Sequence, residues 1–210
     1  MKFFLLLFAP FTVVAYAQQV EYVVAHYQEN LDWLVPYSAN LRIYHKGNLD
    51  QSPIPAAGWV KLSNVGREGH TYLFHIINNY QNLADITFFL QGKIEDHALG
   101  KSVEDLLPKV MAHGVAFFGR RFPARHFCYD YPRFLRFWRE IFGTQAPNQI
   151  AFYAGACFGV RRELILRHPI DFYEKILRVL AKSRDPDEGY YVERMWCFMF
   201  DPVDAISVQN

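Results

Sequence analysis

The sequence has few cysteines, no surplus of either charge, and no zinc-ligand spacing. Its 210 residues include three cysteines, none in a Cys-x-x-Cys pair, so at most one internal disulfide can form. Cys157 stands among apolar neighbours and is expected to be a buried small hydrophobe. The formal net charge of +1 gives no general argument for binding to nucleic acids or membrane surfaces.

Several catalytic motifs are also missing from the sequence. It has no Gly-x-Ser-x-Gly elbow, which argues against a serine hydrolase of the α/β-hydrolase type. It has neither a Gly-x-x-x-x-Gly-Lys phosphate loop nor a Gly-x-Gly-x-x-Gly turn, which argues against the common nucleotide-binding fingerprints. Any phosphate-binding site must therefore use other groups.

What the chain does have is an amino-terminal targeting segment, "MKFFLLLFAPFTVVAYA". Lys2 precedes an apolar run, and Ala15-Tyr16-Ala17 fits a small-x-small cleavage site, so residues 1–17 are predicted to be a signal peptide. The run is shorter than the ~20 residues that span a bilayer, although an uncleaved anchor is the alternative. We expect a secreted or lumenal protein with no stable membrane span after cleavage.

Beyond this segment, strand-like and helix-like stretches alternate. Apolar β-rich runs such as "VEYVVAHY", "LRIYHK" and "ADITFFLQG" are separated by segments with helical spacing, and "SVEDLLPKVMAHG" begins with a variant capping box, Ser102-x-x-Asp105. This order predicts a single three-layer α/β domain over residues 18–210 with a largely parallel sheet. In such sheets ligands bind outside the carboxyl ends of the strands.

Polar residues stand at the start of the first long helix. Gly66, Arg67, Glu68 and His70 occur at a turn where a helix begins. Free backbone N–H groups at a helix start suit a phosphate, and an arginine adds a planar fork for its oxygens. The alternative is a capped helix with a surface ion pair between Arg67 and Glu68.

Two further groups of residues are candidates for chemistry. Asp96 and His97 follow the strand "ITFFLQG" and are ligands of the kind that binds Mn²⁺ or Mg²⁺, although a solvated loop is the alternative. Glu193 lies on an aromatic helix and is a candidate general base, whereas a surface pair with Arg194 is its structural alternative.

A basic and aromatic segment, residues 119–140, has a composition that can indicate RNA or single-stranded DNA binding. In a secreted chain of near-zero net charge, an anionic substrate or surface packing by arginine stems is favoured instead. We therefore expect no nucleic-acid partner.

Taken together and in order, "VVAHYQENLDWL", "IYHKGN", "NVGREGHTYLFHIINNY", "ITFFLQG", "AGACFGVRRELILRHPIDFYEKIL" and "VERMW" resemble an uncharacterised, mainly fungal domain family. That family looks like a divergent relative of the GT-A glycosyltransferases, which have a Rossmann-like sheet and act on nucleotide sugars. The resemblance implies that the chain transfers a sugar from a nucleotide sugar to a glycan or another hydroxyl acceptor.

The resemblance also assigns candidate residues. It implies a nucleotide pocket at Ala25, Tyr27 and Glu29, contact of Gly66, Arg67 and Glu68 with the sugar nucleotide, an acceptor segment around Gly155, and a catalytic helix carrying Glu193, Arg194 and Trp196. Gln91-Gly92-Lys93 stands where such enzymes carry a metal-binding Asp-x-Asp. This departure leaves three alternatives: Asp96 and His97 bind the cation, the enzyme works without one, or the chain is a non-catalytic carbohydrate-binding module or a protein-binding effector.

Overall fold

The structure is a computed structural model, and it describes residues 18–47 and 59–206. The predicted signal peptide lies outside the described residues. The described residues form eight strands: β1 Val20–His26, β2 Leu41–His45, β3 Trp59–Lys61, β4 Ile86–Gln91, β5 Val115–Phe117, β6 Arg121–Pro123, β7 Ala151–Tyr153 and β8 Phe158–Arg161. The helices are a 3-10 helix Asp32–Asn40 and α1 Arg67–Asn78, α2 Glu95–Ala98, α3 Val103–His113, α4 Tyr131–Phe142, α5 Arg162–Ile165, α6 Ile170–Leu180, α7 Asp187–Phe200 and α8 Pro202–Ile206.

Six strands form one mixed sheet in the order β3-β2-β1-β4-β8-β5. The first four are parallel, β8 runs antiparallel to β4, and β5 runs antiparallel to β8. The prediction of an α/β fold with a largely parallel sheet is therefore confirmed. The chain moves from β1 outward to β2 and β3, then returns to the other side of β1 with β4, so the strand order reverses between β1 and β4.

The central strands β1 and β4 are mostly apolar, as is typical of strands with both faces covered. Val23 and Phe89 belong to a core shared with α1, α4, α6 and α7. Their neighbours Val24 and Phe88 belong to a second core, on the other face, shared with α3 and the 3-10 helix. Side chains alternate between faces along a strand, so the two cores are separated by the sheet and the three-layer arrangement follows.

Local signals explain where the helices begin and end. Ser102 accepts a hydrogen bond from the Asp105 N–H, and Asp105 in turn accepts one from the Ser102 N–H, so the predicted capping box is present. Helix α4 starts after Asp130 and ends at Gly143 in a left-handed conformation, as a glycine cap favours.

Two short strands form a second, separate sheet. The stretch "IAFYAGACFGV" contains β7 and β8: β7 pairs antiparallel with β6 in this two-stranded sheet, and β8 joins the main sheet. Strand β6 lies within the basic and aromatic segment, residues 119–140, whose composition did not indicate a strand. Its three residues include Pro123, which supplies no N–H, and so short a strand leaves little pattern in the sequence. Among the helices of the described residues, none has the length and apolar character needed to cross a bilayer.

Candidate functional site

A cavity of about 220 Å³ opens at the carboxyl ends of β1, β2 and β4, next to the start of α1. This is the point where the strand order reverses, the place at which ligands bind in open α/β sheets. The residues that line it come from four separate parts of the chain: Ala25, His26, Tyr27, Glu29, Lys46, Asn64, Arg67, Glu68 and Gln91.

Five residues proposed for substrate binding line this cavity together: Tyr27, Glu29, Arg67, Glu68 and Gln91. They were chosen from separate stretches of sequence, and the topology brings them to one place. The parallel pairing of β1 with β4 aligns Ala25 with Gln91, and this alignment sets the last residues of both strands beside each other.

The Glu29 carboxylate closes the turn that follows β1. Its Oε2 accepts hydrogen bonds from the N–H groups of Tyr27 (2.7 Å) and Gln28 (3.1 Å). It also packs against Gly92, where an added Cβ would lie 2.7 Å from the same oxygen. Glu29 therefore shapes one wall of the cavity and already has partners for its charge.

The start of α1 has an unusual backbone. Gly66 and Arg67 both adopt left-handed conformations, with φ of 62° and 53°. This region is common for glycine but strained for arginine. The Arg67 guanidinium is held over the Tyr190 ring at 4.2 Å, and its Nη1 lies 3.2 Å from Asp185 Oδ1. Its Nε lies 3.6 Å from Glu68 Oε2, so Arg67 is fixed from three sides.

Lys46, directly after β2, is a buried cation in the cavity wall that the sequence reasoning missed. Only 8% of the residue is exposed. Its Nζ donates to the carbonyl oxygens of Val65 at 2.7 Å and Arg67 at 2.5 Å, which secures the strained turn. Burial lowers the pKa of Lys46 to about 8, while the nearby Glu68 charge acts in the opposite direction. In the sequence it looks like a strand-ending lysine, and only tertiary packing reveals its burial.

Two carboxylates lie close enough to influence each other. Burial raises the pKa of Glu68 above its usual range, Arg67 opposes this, and the negative charge of Glu193 adds to it. Glu193 Oε1 accepts a hydrogen bond from the Gly155 N–H at 2.7 Å, and the Gly155 carbonyl accepts one from Gln91 Nε2 at 2.8 Å. A single residue, Gly155, thus links Glu193 to the rim of the cavity.

Gly155 is suited to this position by its lack of a side chain. Its φ is +95°, and a Cβ there would lie 2.5 Å from the Cβ of His97. The assignment of Gly155 to an acceptor site remains a prediction, and what the structure shows is its role in positioning Glu193 and Gln91.

None of the three residues assigned to the late helix is among those that line the cavity. Glu193 reaches its rim only through Gly155, and the other two are buried. Arg194 is 2% exposed, and its guanidinium donates to the carbonyl oxygens of Ala124, His126 and Tyr190. Trp196 is 1% exposed and packs in an aromatic core with Phe158. Both side chains are thus held inside the protein in this structure, and their assignment to the catalytic helix stays a prediction.

His70 also lies behind the cavity wall. It is 8% exposed, and its Nδ1 has no hydrogen-bond partner among the described residues. Burial lowers the pKa of His70 to about 4, and the charge of Lys46 contributes in the same direction. The ring is therefore neutral at pH 7.

Asp96 and His97, the candidate metal ligands, occupy a separate position on α2. Asp96 pairs with Lys93 at 3.1 Å and is largely exposed, whereas the base of the His97 side chain packs on Gly155. Within residues 18–47 and 59–206, no cluster of three or more His, Cys, Asp or Glu side chains is arranged to hold a metal ion. The pair alone does not complete a Mn²⁺ or Mg²⁺ site.

The chain was compared with known proteins. Residues 22–112 and 126–209 match the family described as "Protein of unknown function (DUF3431)". The chain belongs to this family. The expectation of an uncharacterised domain family is thus confirmed, and the match includes every residue that lines the cavity. No curated protein and no solved structure matches the chain.

Proposed function

We propose that this DUF3431 protein is a secreted or lumenal glycosyltransferase-like enzyme of GT-A type. It binds a nucleotide sugar in the cavity and transfers the sugar to a hydroxyl of a glycan or another acceptor. The observation that carries the proposal is the position of the cavity: it lies at the strand-order reversal between β1 and β4, where doubly wound sheets bind nucleotides, and it combines cations with carboxylates.

In this proposal each residue has a separate role in binding or catalysis. Tyr27, at the mouth, is a partly exposed aromatic ring that can stack on a nucleobase. Lys46 supplies positive charge near the diphosphate, and Arg67 forms the cavity wall beside it. Glu193 accepts the proton of the acceptor hydroxyl. The oxygen of that hydroxyl attacks the anomeric carbon of the donor sugar, and the bond from this carbon to the diphosphate breaks. The nucleoside diphosphate leaves with the bonding electrons.

The binding step is tested by thermal unfolding with nucleoside diphosphates and nucleotide sugars, each with and without Mn²⁺. A ligand at about 100 times its Kd stabilises a folded protein by about 2.7 kcal/mol. For a chain of this size, we expect the Tm to rise by roughly 5–10 °C. If no nucleoside diphosphate or nucleotide sugar raises the Tm under either condition, the proposal fails.

The catalytic step is tested by Glu193→Gln. The amide oxygen of glutamine can still accept the Gly155 N–H, so folding and nucleotide binding should persist. Removal of a general base should lower the transfer rate by about 10²–10⁴-fold. Glu174→Gln, at an exposed position of α6, is the matched control and should leave transfer unchanged.

A non-catalytic carbohydrate-binding module is the second candidate, favoured by the residues Gln91-Gly92-Lys93 at the position where GT-A enzymes carry Asp-x-Asp. Binding on a glycan array without turnover of any nucleotide sugar would favour this candidate. Capture of one protein partner with no sugar binding would instead favour an effector.

A further inference from the structure

The two cations of the cavity have different surroundings. Arg67 already contacts two carboxylates, Glu68 and Asp185. These two carboxylates neutralise the positive charge of Arg67, and the Tyr190 ring covers one face of its guanidinium. A ligand phosphate would have to compete with both carboxylates for this side chain. Arg67 is therefore better suited to shaping the cavity than to binding an anion.

Among residues 18–47 and 59–206, no carboxylate forms an ion pair with Lys46, although the Glu68 charge acts on it from nearby. An ammonium has three N–H donors, and two of them are used by the backbone carbonyls of Val65 and Arg67. No other residue in the described part of the chain accepts the third donor. Neutral carbonyls hold the group in place without cancelling its charge, and they leave one donor for a ligand in the cavity that Lys46 lines.

The start of α1 has fewer free backbone N–H groups for an anion than its position next to the cavity suggests. The Gly66 N–H donates to the Ser183 carbonyl at 2.9 Å, and the Glu68 carboxylate interacts with its own backbone N–H. Two of the first N–H groups of this turn are thus engaged. The cavity must draw most of its affinity for an anion from a side chain.

We propose that the Lys46 ammonium binds the phosphate oxygens of the ligand directly, and that this contact requires the protonated amine and no divalent cation. The proposal rests on the proposed function in that the phosphate belongs to a nucleoside diphosphate. It goes further by assigning the anion contact to a residue that the sequence reasoning passed over.

Protonation of Lys46 should control this contact near physiological pH. Burial lowers its pKa to about 8, so the cation dominates at pH 7 and is mostly lost by pH 9. The nearby Glu68 charge favours the charged amine, whereas the contact with Arg67 is to its neutral backbone carbonyl. His70 is neutral in this range because its pKa is about 4, and Glu29 is bonded to two backbone N–H groups.

The test uses the whole protein with inorganic pyrophosphate and with a panel of nucleoside diphosphates, in the presence of a chelator. Calorimetry at pH 7 and at pH 9 gives the affinities. The protonated fraction of an amine of pKa about 8 falls from ~0.9 to ~0.1 over this range, so we expect wild-type binding to weaken about tenfold.

Three variants complete the experiment. Lys46→Met keeps an unbranched side chain only one atom shorter but lacks the charge, and it should lose detectable binding. Lys46→Arg remains charged at pH 9 and should show no tenfold loss of affinity between the two pH values. Any pH effect that this variant does show is the part caused by ionisation of the probe. Lys109→Met, at an exposed position of α3, should match the wild type. Circular dichroism confirms that each variant is folded.

The outcomes separate this inference from the proposed function. Binding of nucleoside diphosphates by folded Lys46→Met with wild-type affinity overturns the inference and leaves the proposed function standing. Binding of pyrophosphate alone, lost in Lys46→Met, supports the Lys46 site and overturns the proposed function. Absence of all binding to the wild type, or binding that needs a divalent cation, overturns the inference.

Discussion

Two consecutive left-handed residues at the cavity edge show how single positions shape this site. Gly66 can adopt its φ of 62° without penalty, but Arg67 at 53° is strained. Strained backbone of this kind persists only where surrounding contacts impose it. Here Lys46 binds the Arg67 carbonyl while Tyr190 and Asp185 hold the guanidinium. Contacts to the backbone carbonyl and to the guanidinium of Arg67 therefore hold the turn in place.

Replacement of Gly66 by alanine should strongly destabilise the protein. The new Cβ would lie 2.7 Å from the Cβ of His70 and 2.7 Å from the Leu180 carbonyl oxygen, and alanine is itself strained at this φ. We expect the free energy of unfolding to fall by roughly 2–4 kcal/mol, as measured by chemical denaturation.

Gly100→Ala provides the matched control. Gly100 also has a positive φ, +73°, but no atom lies within 4 Å of the position its Cβ would take. Backbone strain alone should cost about 1 kcal/mol. Equal losses for the two variants would mean that crowding at Gly66 contributes nothing.

At the scale of a secondary-structure element, α3 shows what local sequence can specify. Its capping box and the glycine at its end are both visible in the sequence, and both occur in the structure. Strand β6 shows the opposite case. Its pairing with β7 depends on residues some 30 positions away, and its arginine and proline are typical of a surface segment, so no local pattern reveals it.

Ser102→Ala should weaken α3 by a defined amount. The change removes the hydroxyl that accepts the Asp105 N–H, and loss of such a cap costs about 1 kcal/mol. Chemical denaturation measures the change. Ser38→Ala, at an exposed position of the 3-10 helix, should alter stability by less than about 0.5 kcal/mol. A similar loss for both serines would count against the capping role.

At the scale of the whole molecule, one sheet separates two hydrophobic cores. Phe88 and Phe89 are adjacent in β4 and fully buried, yet they belong to different cores. Trp138 and Trp196 lie in one core, while Trp33 and Trp59 pack against the other. Both cores depend on the same strands, so the prediction of a single domain implies that they unfold together.

Phe88→Ala and Phe89→Ala test that cooperativity. Each change should lower the free energy of unfolding by about 3–5 kcal/mol, because each leaves a cavity the size of a phenyl ring. In both variants, tryptophan fluorescence and far-ultraviolet circular dichroism should report one coincident transition. Phe127→Ala, at a position that is 75% exposed, is the control for a change outside the cores. Separate transitions for the two probes would show that the cores unfold independently.

The sequence allowed the fold class and five cavity-lining residues to be predicted, because strand ends in a parallel sheet converge. It did not allow the burial of Lys46 to be predicted, since that depends on carbonyls of the turn before α1. Nor did it indicate that Arg194 is bonded to three carbonyls instead of facing a ligand. Spacing along the chain specifies which strand ends meet, whereas the direction of a side chain depends on packing between distant segments.

The position of β1 at the centre of the sheet has a consequence for biosynthesis. Val20 pairs with Ile86, and two helices and two other strands lie between them in the sequence. At about 5–20 residues per second, the ribosome completes β4 roughly 3–13 s after β1. Until then, β1 cannot form its pairing with β4. We therefore expect this edge of β1 to be open to mispairing during synthesis.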